Sequence, residues 1–134
     1  MRIAGGVRAI LTYADRLVAR GHEVTLVVPA KSPPRAAWRN LTHAGPAWMP
    51  GFRPRLRWVA RWRAGALPEG DAVVATAWES AAAVAGAPAR CGAKFYFVQH
   101  YESLYHGAPA TVDATYQLPL RKIVISTWLR DIMR

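Results

Sequence analysis

Two adjacent glycines near the start of the chain precede a basic residue, an arrangement suited to holding an anion. Gly5 and Gly6 lie at the start of a predicted helix, and Arg8 follows within its first turn. Glycine allows close approach of the backbone to a ligand, and the free amides at a helix N-terminus favour negative charge. Phosphate is therefore a candidate ligand. The alternative is an ordinary helix-start loop with Arg8 in solvent.

A second polar group, Gln99-His100-Tyr101-Glu102, directly follows the predicted strand 94–98. Open α/β sheets bind ligands outside the carboxyl ends of their strands, so His100 is the candidate for chemistry and its three neighbours form a polar patch beside it. A structural histidine that caps the strand end is the alternative. Glu102 could orient a ligand or balance nearby arginines.

Two other strand-to-helix junctions carry polar or aromatic residues. Thr76 and Glu79 have the spacing of a capping box, which explains them better than catalysis does. Trp78 between them either lines a cleft or packs over the helix. Ser126 is expected to be the N-cap of the last helix, and its position at a strand end also allows a ligand contact.

Helical and strand patterns alternate along the chain, which predicts an α/β fold with a Rossmann-like, doubly wound and mostly parallel sheet. Gly21 is expected as the C-cap of the first helix. The predicted helices cover residues 6–20, 80–86, 111–118 and 127 onward, and the predicted strands cover 24–28, 72–75, 94–98 and 123–125.

Six prolines between residues 30 and 70 interrupt regular structure, and only short strands near 47–49 and 56–59 are predicted there. No strand precedes the first helix, although a doubly wound domain normally begins with one. The sequence also stops inside an amphipathic helix. We therefore expect a single lobe over residues 1–134 that is truncated at both ends.

The chain of 134 residues has a formal net charge of +10, and five arginines lie in segment 53–63 together with Trp58 and Trp62. Such a segment suits a solvated basic face, an anionic membrane surface or a nucleic acid. The last is disfavoured because zinc-finger, RNP-like and helix-turn-helix signatures are lacking. Apolar runs are far shorter than the roughly 18–20 residues of a membrane-spanning helix.

The single cysteine, Cys91, excludes an internal disulfide framework and a cysteine-based zinc site. It is expected to be a small buried or half-buried residue. His43 and His106 have no partner at metal-ligand spacing, so no metal site is expected. The cytoplasm is the expected compartment. The basic segment also allows peripheral contact with the inner face of the membrane.

Several stretches of the chain resemble glycosyltransferase family 4. The segment GGVRAILTYADRLVARGHEVTLVVP is similar to the opening of that family, with its Gly-Gly loop and Gly-His-Glu-Val turn. The stretches DAVVATAWESAAAV, KFYFVQHYESLYHG and ATYQLPLRKIVISTWLRDIM resemble its rhamnosyltransferase-like branch, which builds cell-envelope polysaccharides. The likeness covers nearly the whole chain except the proline-rich middle. That branch more often has aspartate at the position of His100, whereas histidine fits the wider family.

The resemblance implies the amino-terminal, acceptor-binding lobe of a retaining enzyme with the two-lobed GT-B fold. The donor lobe and its paired-glutamate motif are not in the sequence, so the fragment alone is expected to be inactive. A nucleotide-sugar would be the donor substrate, with a glycan or lipid-linked acceptor and no separate cofactor. The Gly5-Gly6 loop, with Arg8, would approach the donor diphosphate. His100 would assist acid–base chemistry or bind a sugar hydroxyl, and Gln99, Tyr101, Glu102, Trp78 and Ser126 would line the acceptor cleft.

Two rival functions remain at this point. One is a non-catalytic module whose Arg/Trp segment docks on an anionic membrane. The other is a dinucleotide-binding Rossmann domain, which is disfavoured because the glycine fingerprint is incomplete and Val28-Pro29 stands where an acidic residue is expected.

Overall fold

The computed structural model describes residues 5–30, 32–42 and 45–134. The chain divides into two compact units, Met1–Arg61 and Trp62–Arg134. The first contains helix α1 (Gly5–Ala19), strand β1 (Thr25–Pro29), helix α2 (Pro33–Thr42) and strand β2 (Arg55–Val59). The second contains β3 (Ala72–Ala75), α3 (Trp78–Ala85), β4 (Ala93–Val98), α4 (Pro109–Tyr116), β5 (Arg121–Val124) and α5 (Thr127–Ile132). Every strand pair in the described residues is parallel, which confirms the predicted α/β class.

Helix α1 ends as its sequence predicts. Gly21 has a φ of +90°, in the left-handed region that glycine adopts without steric cost. The Gly21 amide donates to the carbonyl of Val18, and the His22 amide donates to that of Leu17. These bonds satisfy carbonyls that the last helical turn would leave open, and they direct the chain into β1.

Helix α2 was not expected from the sequence, because Pro33 and Pro34 suggested broken structure. Both prolines stand in the first turn of the helix, where the missing N–H groups have no intrahelical partners to lose. On its inner side Ala36 packs with Ala30 and Trp58 in a small buried cluster. The cluster and β2, which the sequence did predict, fix the position of α2 within the first unit.

The predicted strand at 47–49 is wrong. Those residues form a turn in which the Met49 amide donates to the carbonyl of Pro46. The prolines at 46 and 50 prevent this short apolar stretch from pairing in a β-sheet, because proline has no N–H to donate to a neighbouring strand.

In the second unit, β3, β4 and β5 form one sheet with β4 in the middle. Tyr96 and Val98 of β4 are almost completely buried on the face that α3 and α4 cover. Val84 of α3 and Val112 of α4 lie in the same core. The observed helices and strands of this unit match the predicted ones to within a few residues at each end.

A backbone contact at the start of β4 requires glycine. Gly92 has a φ of +72°, and a Cβ atom there would lie only 2.1 Å from the carbonyl oxygen of Asp71. The neighbouring Ala93 amide donates to the same oxygen over 2.9 Å. Cys91, which directly precedes Gly92, is fully buried, as predicted. This packing sets the register between β3 and β4.

Among the described residues, we find no helix that combines the length and apolar character needed to cross a membrane.

Candidate functional site

The sheet of the second unit brings three strand-to-helix junctions to one edge. Its three strands are parallel, so their carboxyl ends face the same way. Thr76 follows β3, Gln99 and His100 follow β4, and Ser126 follows β5 after one residue. This edge is where open α/β sheets bind ligands.

Glu102 anchors the loop that follows β4. Its carboxylate oxygen Oε2 accepts a hydrogen bond from the Trp78 amide at 2.9 Å and another from the Tyr96 hydroxyl at 2.9 Å. Its own amide donates to the Tyr116 hydroxyl at 2.9 Å. Glu102 is only 8% exposed, so these contacts are internal. The Glu102 carboxylate therefore ties the loop to the first turn of α3 and to β4, and its backbone amide ties the loop to α4.

The same carboxylate caps α3, which corrects the predicted Thr76–Glu79 capping box. The helix begins at Trp78 rather than just after Thr76, and Glu79 is exposed. The Ser80 hydroxyl accepts from the amides of Thr76 and Ala77 at 3.2 and 3.3 Å. A serine inside the first turn and a carboxylate from 24 residues away thus accept from the amides of Thr76, Ala77 and Trp78 at the start of the helix.

Three tyrosines stack beneath the loop. The ring of Tyr116 lies between those of Tyr96 and Tyr101, at centroid distances of 5.8 and 5.6 Å. The Tyr101 hydroxyl donates to Asp113 at 2.7 Å, and the Ser103 hydroxyl donates to the same carboxylate. Tyr101 therefore helps to hold the loop in place, and its hydroxyl is already hydrogen-bonded to Asp113.

Hydrogen bonding and burial shift several pKa values in this network. The Ser103 and Tyr101 hydroxyls hold the pKa of Asp113 below its ordinary value, because they bond to its charged form. The hydrogen bond to Asp113 in turn raises the pKa of Tyr101. Burial raises the pKa values of Tyr96 and Tyr116. The tyrosine hydroxyls consequently keep their protons at neutral pH.

His100 is exposed at the carboxyl end of β4, next to two residues that the sequence did not single out for a site. Its ring lies 5.8 Å from that of His106 in an edge-on arrangement and 6.1 Å from that of Tyr105. Tyr105 is 72% exposed. A polar-aromatic surface of His100, Tyr105 and His106 results. The signal in the sequence was the QHYESLYH segment, whose single 3₁₀ turn at Glu102–Leu104 brings its two histidines together.

Trp78 packs against the end of the loop. A Cβ atom on Gly107 would lie 3.2 Å from the Trp78 ring and 3.0 Å from Val112, and the φ of Gly107 is +65°. The indole is partly exposed, so it both supports the loop and borders the site. The structure thus satisfies the packing interpretation of Trp78 and leaves part of the ring available to a ligand.

Ser126 is the N-cap of α5, as predicted, and its hydroxyl accepts from the Leu129 amide at 3.1 Å. Gln99 is half-buried beside His100 in the sequence. Ligand binding by these two residues, by Tyr101 and by Glu102 stays a prediction.

Gly5, Gly6 and Arg8 belong to the first unit and form the first turn of α1. Gly5 and Arg8 border a shallow depression of about 370 Å³ along the exposed side of the helix. Its remaining lining includes Thr12, Tyr13 and Arg16. Arg8 in the first turn and Arg16 in the last turn give this depression a positive character along its length, and the helix N-terminus at Gly5 adds to it at one end.

Metal-ligand candidates do not converge in the described part of the chain, where we find no group of three or more His, Cys, Asp or Glu side chains placed to hold an ion. His106 lies beside His100, and His43 is outside the described residues.

Parallel strands with polar and aromatic side chains at their carboxyl ends define the class as a Rossmann-like ligand-binding fold. The model of the family described as Glycosyltransferase Family 4 matches residues 3–134. The O-antigen biosynthesis protein RfbC of Myxococcus xanthus is 34% identical over 120 residues. That alignment covers 87% of this chain and 9% of the relative's length. No solved structure matches the chain significantly.

The chain therefore belongs to glycosyltransferase family 4, which confirms the family resemblance drawn from its sequence.

Proposed function

We propose that this chain provides the acceptor-binding lobe of a retaining GT-B glycosyltransferase. The enzyme would move a sugar from a nucleoside-diphospho-sugar to a glycan or lipid-linked acceptor in cell-envelope polysaccharide synthesis, as its rhamnosyltransferase-like motifs suggest. The name of the Myxococcus relative, an O-antigen biosynthesis protein, supports this pathway class. The work would take place in the cytoplasm, at the inner face of the membrane.

The observation that carries the proposal is the exposed His100 on an anchored loop. Its ring, with Tyr105 and His106, stands at the ligand-binding edge of the sheet. Imidazole and phenol groups donate and accept hydrogen bonds, as sugar hydroxyls require, and aromatic faces cover the apolar faces of sugars. Because internal contacts occupy Glu102 and Tyr101, we assign them to positioning. Direct acceptor contact falls to His100, Gln99, Trp78 and Ser126.

The Gly5-Gly6 loop and Arg8 are proposed to meet the donor diphosphate. Their support is the N-terminal end of the depression along α1, where the Gly5 end of the helix and the Arg8 guanidinium suit phosphate oxygens. The nucleotide-sugar is a substrate here, and no further cofactor enters the scheme. In the proposed GT-B enzyme the donor lobe carries the paired glutamates, and this lobe contributes chiefly by holding the acceptor in place.

The test is acceptor binding to the purified 134-residue chain. Saturation-transfer NMR with a panel of cell-envelope oligosaccharides should detect binding, and His100→Ala should weaken it about tenfold through loss of direct hydrogen bonds. His22→Ala is the matched control, because His22 is an exposed histidine in the first unit. Failure of every oligosaccharide to bind, or equal binding by His100→Ala, would contradict the proposal.

The same preparation should not transfer sugar from any nucleotide-sugar to the bound acceptor. Radiolabelled donors measure this directly. Detectable turnover by the 134 residues alone would show that the chemistry does not depend on a donor lobe.

A further inference from the structure

The sequence associated membrane docking with segment 53–63, and the structure changes which residues are available for it. Trp58 is only 8% exposed, and the Arg39 guanidinium lies 4.4 Å above its ring. Arg53 is bonded to Asp15, with a closest N–O distance of 2.7 Å. Trp58 and Arg53 of that segment are thus already used in contacts within the first unit.

Helix α2 exposes a different set of residues. Trp38 is 67% exposed and Leu41 is 74% exposed, although both are large apolar side chains. They stand three positions apart, so they lie on one side of the helix, and the exposed Arg35 precedes Trp38 by the same interval. We name Arg35, Trp38 and Leu41 the α2 outer stripe. Ala36 and Asn40 point the other way, into the unit, so the stripe faces away from the residues that α2 packs against in the described part of the unit.

The stretch of sequence that contains the stripe carries charge of one sign. Residues 24–68 contain no aspartate or glutamate. The same stretch contains eight basic residues, which are Lys31, Arg35, Arg39, Arg53, Arg55, Arg57, Arg61 and Arg63. Arg39, on α2 itself, is also exposed. Arg55 and Arg57 alternate with the inward Trp58 on β2, so they lie on the face of that strand opposite to α2.

We propose that the α2 outer stripe is a docking surface for an anionic lipid bilayer. Tryptophan and leucine on one side of a short helix, next to arginines, are the chemistry of a helix that lies in the headgroup region. Tryptophan prefers that depth because its ring is apolar and its N–H is polar. Basic residues near an anionic leaflet add attraction of about fivefold in binding for each residue. A nucleic acid accounts less well for Leu41, which offers no stacking face to a base.

The proposal is independent of sugar transfer, because its readout is vesicle binding. The purified chain should co-sediment with vesicles containing about one third phosphatidylserine and should stay in the supernatant with pure phosphatidylcholine. Trp38→Ser/Leu41→Ser should weaken binding at least about tenfold through loss of buried apolar surface. Arg35→Gln should weaken it about fivefold. Salt at 1 M should weaken it more than that, because it shortens the screening length to about 3 Å and so acts on every exposed basic residue.

The matched control is Trp128→Ser/Ile132→Ser on α5. These residues are another exposed tryptophan–aliphatic pair, 55% and 40% exposed, beside the ion pair that Arg130 forms with Asp131. This variant should bind vesicles like the parent chain. Equal loss in both double variants, or undiminished binding by Trp38→Ser/Leu41→Ser, would overturn the proposal. So would tight binding to a single-stranded oligonucleotide without sedimentation on anionic vesicles.

Discussion

The side-chain amide of Asn40 takes the place of a neighbouring strand beside Trp58. Its Oδ1 accepts from the Trp58 amide at 2.7 Å, and its Nδ2 donates to the Trp58 carbonyl at 2.9 Å. Within the first unit, β2 pairs only with β1 among the described residues, so its other edge would offer unpaired backbone groups. Asn40 blocks that edge with the two bonds that an incoming strand would make.

Asn40→Ala should therefore destabilise the chain by about 1–3 kcal/mol, because two partly buried backbone groups lose their partners. It should also increase aggregation, since the strand edge opens. Chemical denaturation and light scattering measure the two effects. Thr42→Ala on the same helix is the control, because its hydroxyl bonds only to helix carbonyls. Equal behaviour of the two variants would rule out the edge-blocking role.

Glu102→Ala should lower the free energy of unfolding by about 2–4 kcal/mol. The substitution leaves the partly buried Trp78 amide and the buried Tyr96 hydroxyl without their acceptor. Glu102→Gln keeps an oxygen that can accept both bonds and should cost clearly less. Thermal and denaturant unfolding provide the measurement. Glu79→Ala, at the exposed position of the rejected capping box, should change stability by less than about 0.5 kcal/mol. A larger cost at Glu79 than at Glu102 would restore the capping box.

Gly92→Ala should be strongly destabilising, by about 3 kcal/mol or more. The added methyl group would collide with the Asp71 carbonyl, and the positive φ is unfavourable for alanine. Gly65→Ala is the matched control, because a Cβ there meets nothing within 4 Å. Far-ultraviolet circular dichroism during heating separates the two. A small change in melting temperature for Gly92→Ala would mean that β3 and β4 can shift their register cheaply.

The pH dependence of the loop should follow Asp113. Its folded pKa lies below the ordinary value, so it favours folding at pH values above the unfolded pKa. That contribution is lost as the pH falls through the folded pKa. Carboxyl NMR titration should place the Asp113 midpoint below that of an unfolded peptide. The Tyr101→Phe/Ser103→Ala variant should raise the midpoint, and an unchanged value would mean that these hydroxyls do not set it.

The sequence pattern was enough to predict those elements whose structure depends on residues close to one another in the chain. Glycine at position 21 and serine at 126 cap helices with their own neighbours, and both were predicted from the sequence. The strand 93–98 was evident from its β-branched and aromatic content. Helix α2 was missed because its two prolines resemble breakers, whereas their place in the first turn makes them compatible with a helix.

The site could be predicted only in outline. His100 was placed correctly at a strand end, but its pairing with His106 depends on how the intervening turn folds. Glu102 was interpreted as a residue that orients a ligand or balances arginines, because the sequence does not show that the amide of Trp78, 24 residues earlier, needs an acceptor. Hydrogen bonds between residues so far apart in the chain form only when the sheet brings their segments together. The burial of Trp58 was hidden for the same reason.

The loop after β4 separates the residues that hold it from those that protrude into solvent. Glu102 and Tyr101 are bonded inward, whereas Leu104 and Tyr105 protrude at 59% and 72% exposure. Substitutions at the protruding positions can change the shape and chemistry of the surface without disturbing its foundation. A lineage of related enzymes could thereby acquire new acceptor preferences through changes at the tip of one loop, while the fold beneath it stayed the same.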